Sequence, residues 1–359
     1  MRNAIKHAPA LKPLSAIYSA ITDTLVHVPM HGGGAGSINL AGALAITKGS
    51  PTKITLASTP SPLPMPGTYV KLASVLPADY NGYFKVIAAN GANVWIDVDS
   101  SAFGDWASGG AMTFNVFYDR LGNLTPRDIK GTVSTLWANP ADGMTAHSAG
   151  SYCDTITAAS LGAFDLSAFS GFLVLSAKIL APATPSADEY IFSLGRSSAS
   201  GGYSGSGAIC MSLSGGQVVL TFRPRTVAGS DSGGAGGGTN TFIYSSALGT
   251  TAGRTVTFLL DLRSTSSATI YAYLDGVLKA AGAITLTNLI DWPGITNGMS
   301  IGANLNGSLV ASEYLGSAVT SSQARVQNLI WWKTTKSLTT VQRAIIRHAQ
   351  TGELPREVV

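Results

Sequence analysis

The chain has 359 residues, of which 45% are apolar and 12% charged, and a formal net charge of +4 at neutral pH. Its length allows two or three domains, each with a core of its own. The small excess of 23 basic over 19 acidic residues excludes the electrostatic footprint of a nucleic-acid-binding protein. The 41 glycines, among many Ser, Thr and Ala residues, are typical of short strands and tight turns, so the composition predicts an all-β fold.

Residues 1–50 are predicted to form an extended arm or short adaptor. Prolines, a weakly apolar stretch at 14–28 and a glycine run at 32–34 offer no pattern that could close a core alone. Arms of this kind often dock on a neighbouring molecule, so our hypothesis is that residues 1–50 attach the chain to a partner. No apolar signal-peptide core follows Arg2 and Lys6, and no apolar run of about 18 residues occurs. We expect synthesis in a cytoplasm, no secretory signal and no membrane insertion.

Residues 51–116 are predicted to form a small β domain, either a barrel or an open sandwich. Short apolar segments alternate there with turn signals such as Asn90-Gly91 and Gly109-Gly110. The pattern predicts five strands, at residues 54–57, 69–72, 82–88, 94–98 and 111–114.

Residues 117–359 contain longer apolar and β-branched segments between glycine-rich loops. Seven or more such strands need two stacked sheets to bury both inner faces. At the end, Ser337 precedes Val341, Ala344, Ile345 and His348, whose spacing of three and four predicts a capped closing helix. The strands are predicted at residues 172–179, 190–194, 208–213, 217–223, 255–262, 269–274 and 324–332.

The order of these C-terminal elements resembles the laminin-G-like branch of the concanavalin A-like lectin and glucanase superfamily. Residues 254–262 and 268–279 look like two adjacent family strands, with Asp275-Gly276 at the hairpin turn. A two-residue turn of type I′ needs positive φ at both positions, which Asp tolerates and Gly prefers. Residues 299–304, and 324–333 with the closing helix, resemble the following segments. The resemblance implies a jelly-roll β-sandwich with a short C-terminal helix.

The superfamily includes enzymes, and catalysis by this chain would require the acidic residues of those enzymes. Its glucanase members carry closely spaced acidic residues on one strand, because retaining hydrolysis needs two carboxyl groups about 5 Å apart. The chain has only four glutamates, and its one adjacent acidic pair, Asp188-Glu189, would face opposite sides of a strand. We therefore expect no catalytic residue, no cofactor and no enzyme, and keep a polysaccharide hydrolase as the second alternative.

Three residues in or beside the sandwich loops are candidate ligand-binding residues: Tyr203, Trp292 and Asn304. Aromatic planes and amide groups suit the stacking and hydrogen bonding of sugars. The alternative is that Tyr203 and Trp292 simply cover the edge of the sandwich. Asp275 and Asp291 alone offer too few oxygen ligands for calcium, so no metal site is predicted and calcium binding is left open.

Residues 77–86, 94–98 and 108–110 resemble a small β module that recurs in tail, fibre and other structural proteins of tailed bacteriophages. The resemblance implies a virion structural protein, of the tail-tip or fibre type, which displays the sandwich to a glycan of the host surface. Its partners would be other virion proteins, held through residues 1–50, and further copies of itself. A trimer would suit an attachment protein of this kind, although the sequence has no coiled-coil heptads that predict one. The first alternative is a capsid decoration or cement protein.

Overall fold

The structure is a computed structural model that describes 19 segments of the chain. They are residues 24–28, 37–39, 45–61, 63–114, 116–119, 126–130, 144–145, 152–153, 169–180, 189–195, 209–214, 217–222, 240–244, 253–264, 267–285, 298–301, 303–305, 311–314 and 325–351.

These residues form 24 strands, one α-helix and a 3-10 turn at Ala78–Tyr80. The first twelve strands are β1 Thr24–Val28, β2 Ser37–Asn39, β3 Ala45–Thr47, β4 Thr52–Thr55, β5 Tyr69–Ala73, β6 Gly82–Asn90, β7 Asn93–Ile96, β8 Ala111–Thr113, β9 Val116–Phe117, β10 Arg127–Lys130, β11 Met144–Thr145 and β12 Tyr152–Cys153. The others are β13 Phe172–Leu180, β14 Glu189–Gly195, β15 Ile209–Ser214, β16 Gln217–Phe222, β17 Asn240–Tyr244, β18 Arg254–Asp261, β19 Ser267–Leu274, β20 Val277–Thr285, β21 Gly298–Ile301, β22 Ala303–Leu305, β23 Ala311–Tyr314 and β24 Arg325–Thr334, followed by helix α1 Leu338–Thr351.

A seven-stranded antiparallel sheet, which we call the small sheet, has the strand order β2-β8-β5-β6-β7-β4-β3. All five strands predicted between residues 51 and 116 belong to it. Alternate residues of these strands point to one side, where they form a continuous apolar core. The fully buried members of that core include Ile54, Val70, Val86, Val94 and Ile96.

The C-terminal part contains a second seven-stranded sheet, which we call the large sheet, and a five-stranded sheet. The large sheet has the order β1-β24-β13-β18-β19-β20, with β11 also paired to β24, and the five-stranded sheet has the order β17-β16-β15-β14-β21. Their inner faces meet where the rings of Phe192 and Trp331 approach to 4.5 Å. The all-β fold class is confirmed.

Helix α1 covers the opposite face of the large sheet. Its Val341 and Ile345 are buried against Phe172, Val174 and Trp332, among other residues of strands β13, β18, β19 and β24. The helix begins as the sequence predicts, because the Thr340 backbone N–H donates to the Ser337 hydroxyl at 3.3 Å. The central part of the large sheet is thus buried on both faces, which explains why β18 contains six consecutive buried residues.

Three segments of the predicted N-terminal arm are strands that pair within this chain. Strand β1 lies antiparallel to β24, with Thr24 opposite Trp332 and Val28 opposite Leu329. Strands β2 and β3 occupy the two edges of the small sheet. The β-branched residues of β1 suit a position on a sheet edge, where they complete the hydrogen bonds of β24. The extended arm or short adaptor over residues 1–50, and the boundaries near residues 50 and 116, stay predictions.

The hairpin between β19 and β20 turns at the predicted Asp275-Gly276 pair, whose φ angles are 49° and 79°. Asp275 also fixes the neighbouring strand, because its carboxylate accepts the Thr255 backbone N–H at 2.9 Å and pairs with Arg254. Gly276 faces α1, and a Cβ there would lie 2.9 Å from the Ile346 Cα.

Replacing Asp275 by Val should lower the free energy of unfolding by about 1–3 kcal/mol, measured by urea denaturation. A β-branched residue is strained at positive φ, and the Thr255 N–H loses its acceptor. Asp275→Asn is the matched control, because Asn tolerates the same φ and keeps an acceptor oxygen. Equal losses in the two variants would contradict this account of the turn.

Candidate binding surface on the small sheet

The structure describes only one of the three residues that the sequence marks for ligand binding. Tyr203 and Trp292 lie outside the described residues. Asn304 lies in β22, opposite Glu313 of β23 in a two-stranded antiparallel sheet. The loop site on the sandwich stays a prediction.

The outer face of the small sheet carries a different arrangement, in which three lysines lie directly opposite three aromatic residues on neighbouring strands. We call this set the aromatic–lysine face. Two of the pairs join β5 to β6 and the third joins β4 to β7. The pairs are Tyr69 with Lys85, Lys71 with Tyr83, and Lys53 with Trp95.

The period of two along each strand places these side chains outside. In β5, Val70 and Leu72 are buried whereas Tyr69 and Lys71 are only partly buried. Strand β6 repeats the same Tyr-x-Lys pattern at Tyr83-Phe84-Lys85. Because β5 and β6 are antiparallel and in register, each tyrosine meets the lysine of the other strand.

Contacts within the face hold its aromatic rings in place. The Lys71 Nζ lies 5.5 Å from the centroid of the Tyr83 ring, a cation–π distance. The Tyr69 ring lies 5.2 Å from that of Tyr118, with their planes tilted by 37°. Tyr118 is buried, so it supports Tyr69 from a fixed position. Two tyrosines of the face are therefore braced by neighbours.

The face is positively charged and retains a hydrogen-bond donor at Tyr69. Burial raises the pKa of the Tyr69 hydroxyl, and the carboxylates of Asp97 and Asp119 raise it further. The hydroxyl therefore stays protonated at neutral pH. Asp97 is exposed beside the face, where its backbone N–H donates to the Lys85 carbonyl at 2.8 Å. The exposed Asp97 and the buried Asp119 thus accompany three ammonium groups, so the face keeps one net positive charge.

Partly buried aromatic rings next to ammonium and hydroxyl donors can stack on a sugar ring and bond its oxygens. Within the described ranges, no group of three or more His, Cys, Asp or Glu residues is placed to hold a metal ion. The described part of the chain also contains no helix that is long and apolar enough to cross a membrane. Sequence reasoning missed this face, although Tyr-x-Lys on two adjacent predicted strands was a readable signal.

No protein-family model and no curated protein matches the sequence. Several solved structures are similar at low identity. The botulinum neurotoxin type G receptor binding domain is 10% identical over 51% of this chain and 38% of its own, with a TM-score of 0.32. The CBM40 of the Ruminococcus gnavus IT-sialidase, bound to α2,3-sialyllactose, is 14% identical over 50% of this chain and 82% of its own, with a TM-score of 0.33. Trypanosoma rangeli sialidase is 13% identical over 66% of this chain and 31% of its own, with a TM-score of 0.39.

This chain thus spans less than two fifths of the neurotoxin and trypanosomal chains. Similarities at these TM-scores are too distant to carry an argument about function. The aromatic–lysine face therefore has to be judged on its own chemistry.

Proposed function

We propose that the chain is a non-catalytic binding protein of a tailed-phage particle, of the tail-tip or fibre type, that attaches the particle to a host-surface glycan. The observation that supports binding is the aromatic–lysine face, where Tyr69, Tyr83 and Trp95 each lie opposite a lysine on the outer side of a sheet. The phage setting is supported by the sequence resemblance of residues 77–86, 94–98 and 108–110. Other virion proteins and further copies of the chain would be its partners in the particle.

The face is suited to binding because it is already formed before a ligand arrives. Tyrosine and tryptophan have only two side-chain torsions, so they supply contact area at a small entropic cost. The contacts of Tyr69 with Tyr118, and of Tyr83 with Lys71, restrict those torsions further. A rigid strand-borne surface loses less freedom on binding than a loop does.

Tyr83→Ala should reduce the retention of the purified 359-residue chain on bacterial envelopes at least about tenfold, as expected for an aromatic anchor of an interface. Retention is measured as an apparent Kd across a panel of envelopes. Ile87→Ala is the matched control, because Ile87 is 44% exposed on the same strand and is not one of the six residues of the face.

Three results would contradict the proposal. The first is that the unaltered chain is retained on no envelope of the panel. The second is that Ile87→Ala weakens retention as much as Tyr83→Ala does. The third is that the chain releases reducing sugar from an envelope polysaccharide, since that would make it a hydrolase. Locating the chain in a reconstruction of the particle separates a tail protein from a capsid decoration protein.

A further inference from the structure

We propose that the aromatic–lysine face selects acidic saccharides, that is, glycans whose sugar rings carry carboxylate groups. This inference rests on the proposed function, since it names the class of glycan that the face would take. It is carried by the charge and spacing of the residues that point outward from the small sheet.

The aromatic–lysine face carries a net positive charge. Lys53, Lys71 and Lys85 contribute three positive charges, and Asp97 and Asp119, the two carboxylates that act on Tyr69, contribute two negative charges. Other outward residues of the same strands are uncharged, such as Thr55 opposite Asn93 and Thr113 opposite Lys71. A ligand on this surface meets a net positive field, which favours an anion and disfavours a cation.

The register of β5 and β6 places two lysines and two tyrosines next to one another. Tyr69 opposite Lys85 and Lys71 opposite Tyr83 form a two-by-two pattern, so the two lysines are diagonal neighbours and so are the two tyrosines. Diagonal residues of an antiparallel pair lie about 7–8 Å apart. A sugar ring stacked on Tyr69 therefore has a lysine beside it on both strands, Lys85 on β6 and Lys71 on β5. A carboxylate on that ring would lie between the two ammonium groups and could accept a hydrogen bond from either.

The hydrogen-bond donors of the face favour a saccharide over single-stranded nucleic acid. The protonated Tyr69 hydroxyl and the lysine ammonium groups can bond sugar hydroxyls as well as carboxylates. A nucleic-acid channel would follow the backbone with a continuous positive groove and stack successive bases on aromatic rings. Here the Lys71 ammonium already lies over the Tyr83 ring, and Asp97 lies beside Lys85.

The test compares uronic-acid-containing bacterial polysaccharides with their carboxyl-reduced forms, which keep the sugar sequence and lose the charge. Each polysaccharide is immobilised and probed with the 359-residue chain. We expect at least one acidic polysaccharide to bind at least about tenfold more tightly than its reduced form, since a charge-assisted hydrogen bond contributes that much. Binding to the acidic form should weaken as the salt concentration rises.

The double variant Lys71→Gln with Lys85→Gln should lose about tenfold or more in affinity for the acidic form, and clearly less in affinity for the reduced form, which has no carboxylate for the lysines to bind. The matched control is Lys178→Gln with Lys279→Gln, which removes the same charge from two exposed lysines of the large sheet. That control should bind both forms as the unaltered chain does.

Equal binding to acidic and reduced polysaccharides, or binding to no acidic one, would overturn the inference. It would equally be overturned if the two double variants behaved alike, or if oligothymidylate bound this face more tightly than any saccharide. In each of these cases, retention on envelopes that still depends on Tyr83 would leave the proposed function standing. Failure of that function has a different signature, namely that the unaltered chain binds no envelope.

Discussion

Replacing Trp331 by Ala should lower the free energy of unfolding by about 3–5 kcal/mol, the usual cost of removing a large side chain from a core. Trp331 is completely buried in β24, and its ring meets Phe192 of the facing sheet at 4.5 Å. On its own sheet it lies opposite Leu175 of β13, which is opposite Phe258 of β18. The variant would leave a cavity at the centre of the sandwich.

Urea denaturation measures this loss as a shift of the unfolding midpoint at a similar slope. Val277→Ala is the control, because Val277 is 55% exposed on the edge strand β20 and should change stability by less than about 0.5 kcal/mol. Trp331→Phe keeps an aromatic ring and should lose less than the alanine variant. A loss below about 1 kcal/mol in Trp331→Ala would show that this ring does not join the two sheets.

Replacing Gly110 by Ala should destabilise the small sheet by about 2–4 kcal/mol, through backbone strain and a steric clash. Gly110 immediately precedes β8 and has a φ of 99°. An added Cβ would lie 2.5 Å from the Val75 Cγ2 and 3.2 Å from the Ala73 carbonyl oxygen. Because Val75 is fully buried, it has no room to move away.

Gly67→Ala separates the two causes. Gly67 has a similar φ of 90°, but its added Cβ would meet no atom within 4 Å, so it reports backbone strain alone. We expect about 1–2 kcal/mol for Gly67→Ala, with the further loss in Gly110→Ala due to the clash. Hydrogen exchange of the β5 and β8 amides measures both. Equal changes in the two variants would refute a steric role for Gly110.

The strands of the two large regions could be predicted because their residues alternate strongly or run continuously apolar. The five expected strands of the small sheet are all present, and the Asp275-Gly276 turn has the two positive φ angles that its residues require. Strands β1, β2 and β3 escaped prediction because they are short edge strands. Their pairing depends on partners far along the chain, which local pattern does not reveal.

The candidate site was harder to predict than the fold. Tyr203 and Trp292 were predicted to bind a ligand because they are aromatic residues in or beside loops, and loops commonly carry binding residues. The aromatic–lysine face instead comes from the register between strands, since a shift of one residue would move Tyr83 to the other side of the sheet. The Tyr-x-Lys repeat was visible in the sequence, but the pairing of Lys53 with Trp95 needed the structure.

The pairing of β1 with β24 has a consequence for how the chain folds during synthesis. Thr24 leaves the ribosome long before its partner Trp332 is made, because the two residues lie far apart in the sequence. The small sheet, formed by residues 37–113, can close while the rest is still being made. Strand β1 cannot join the large sheet until β24 has been made. We therefore expect a fast early folding step, in which the small sheet forms, followed by a slow step limited by the distant pairing of β1 with β24.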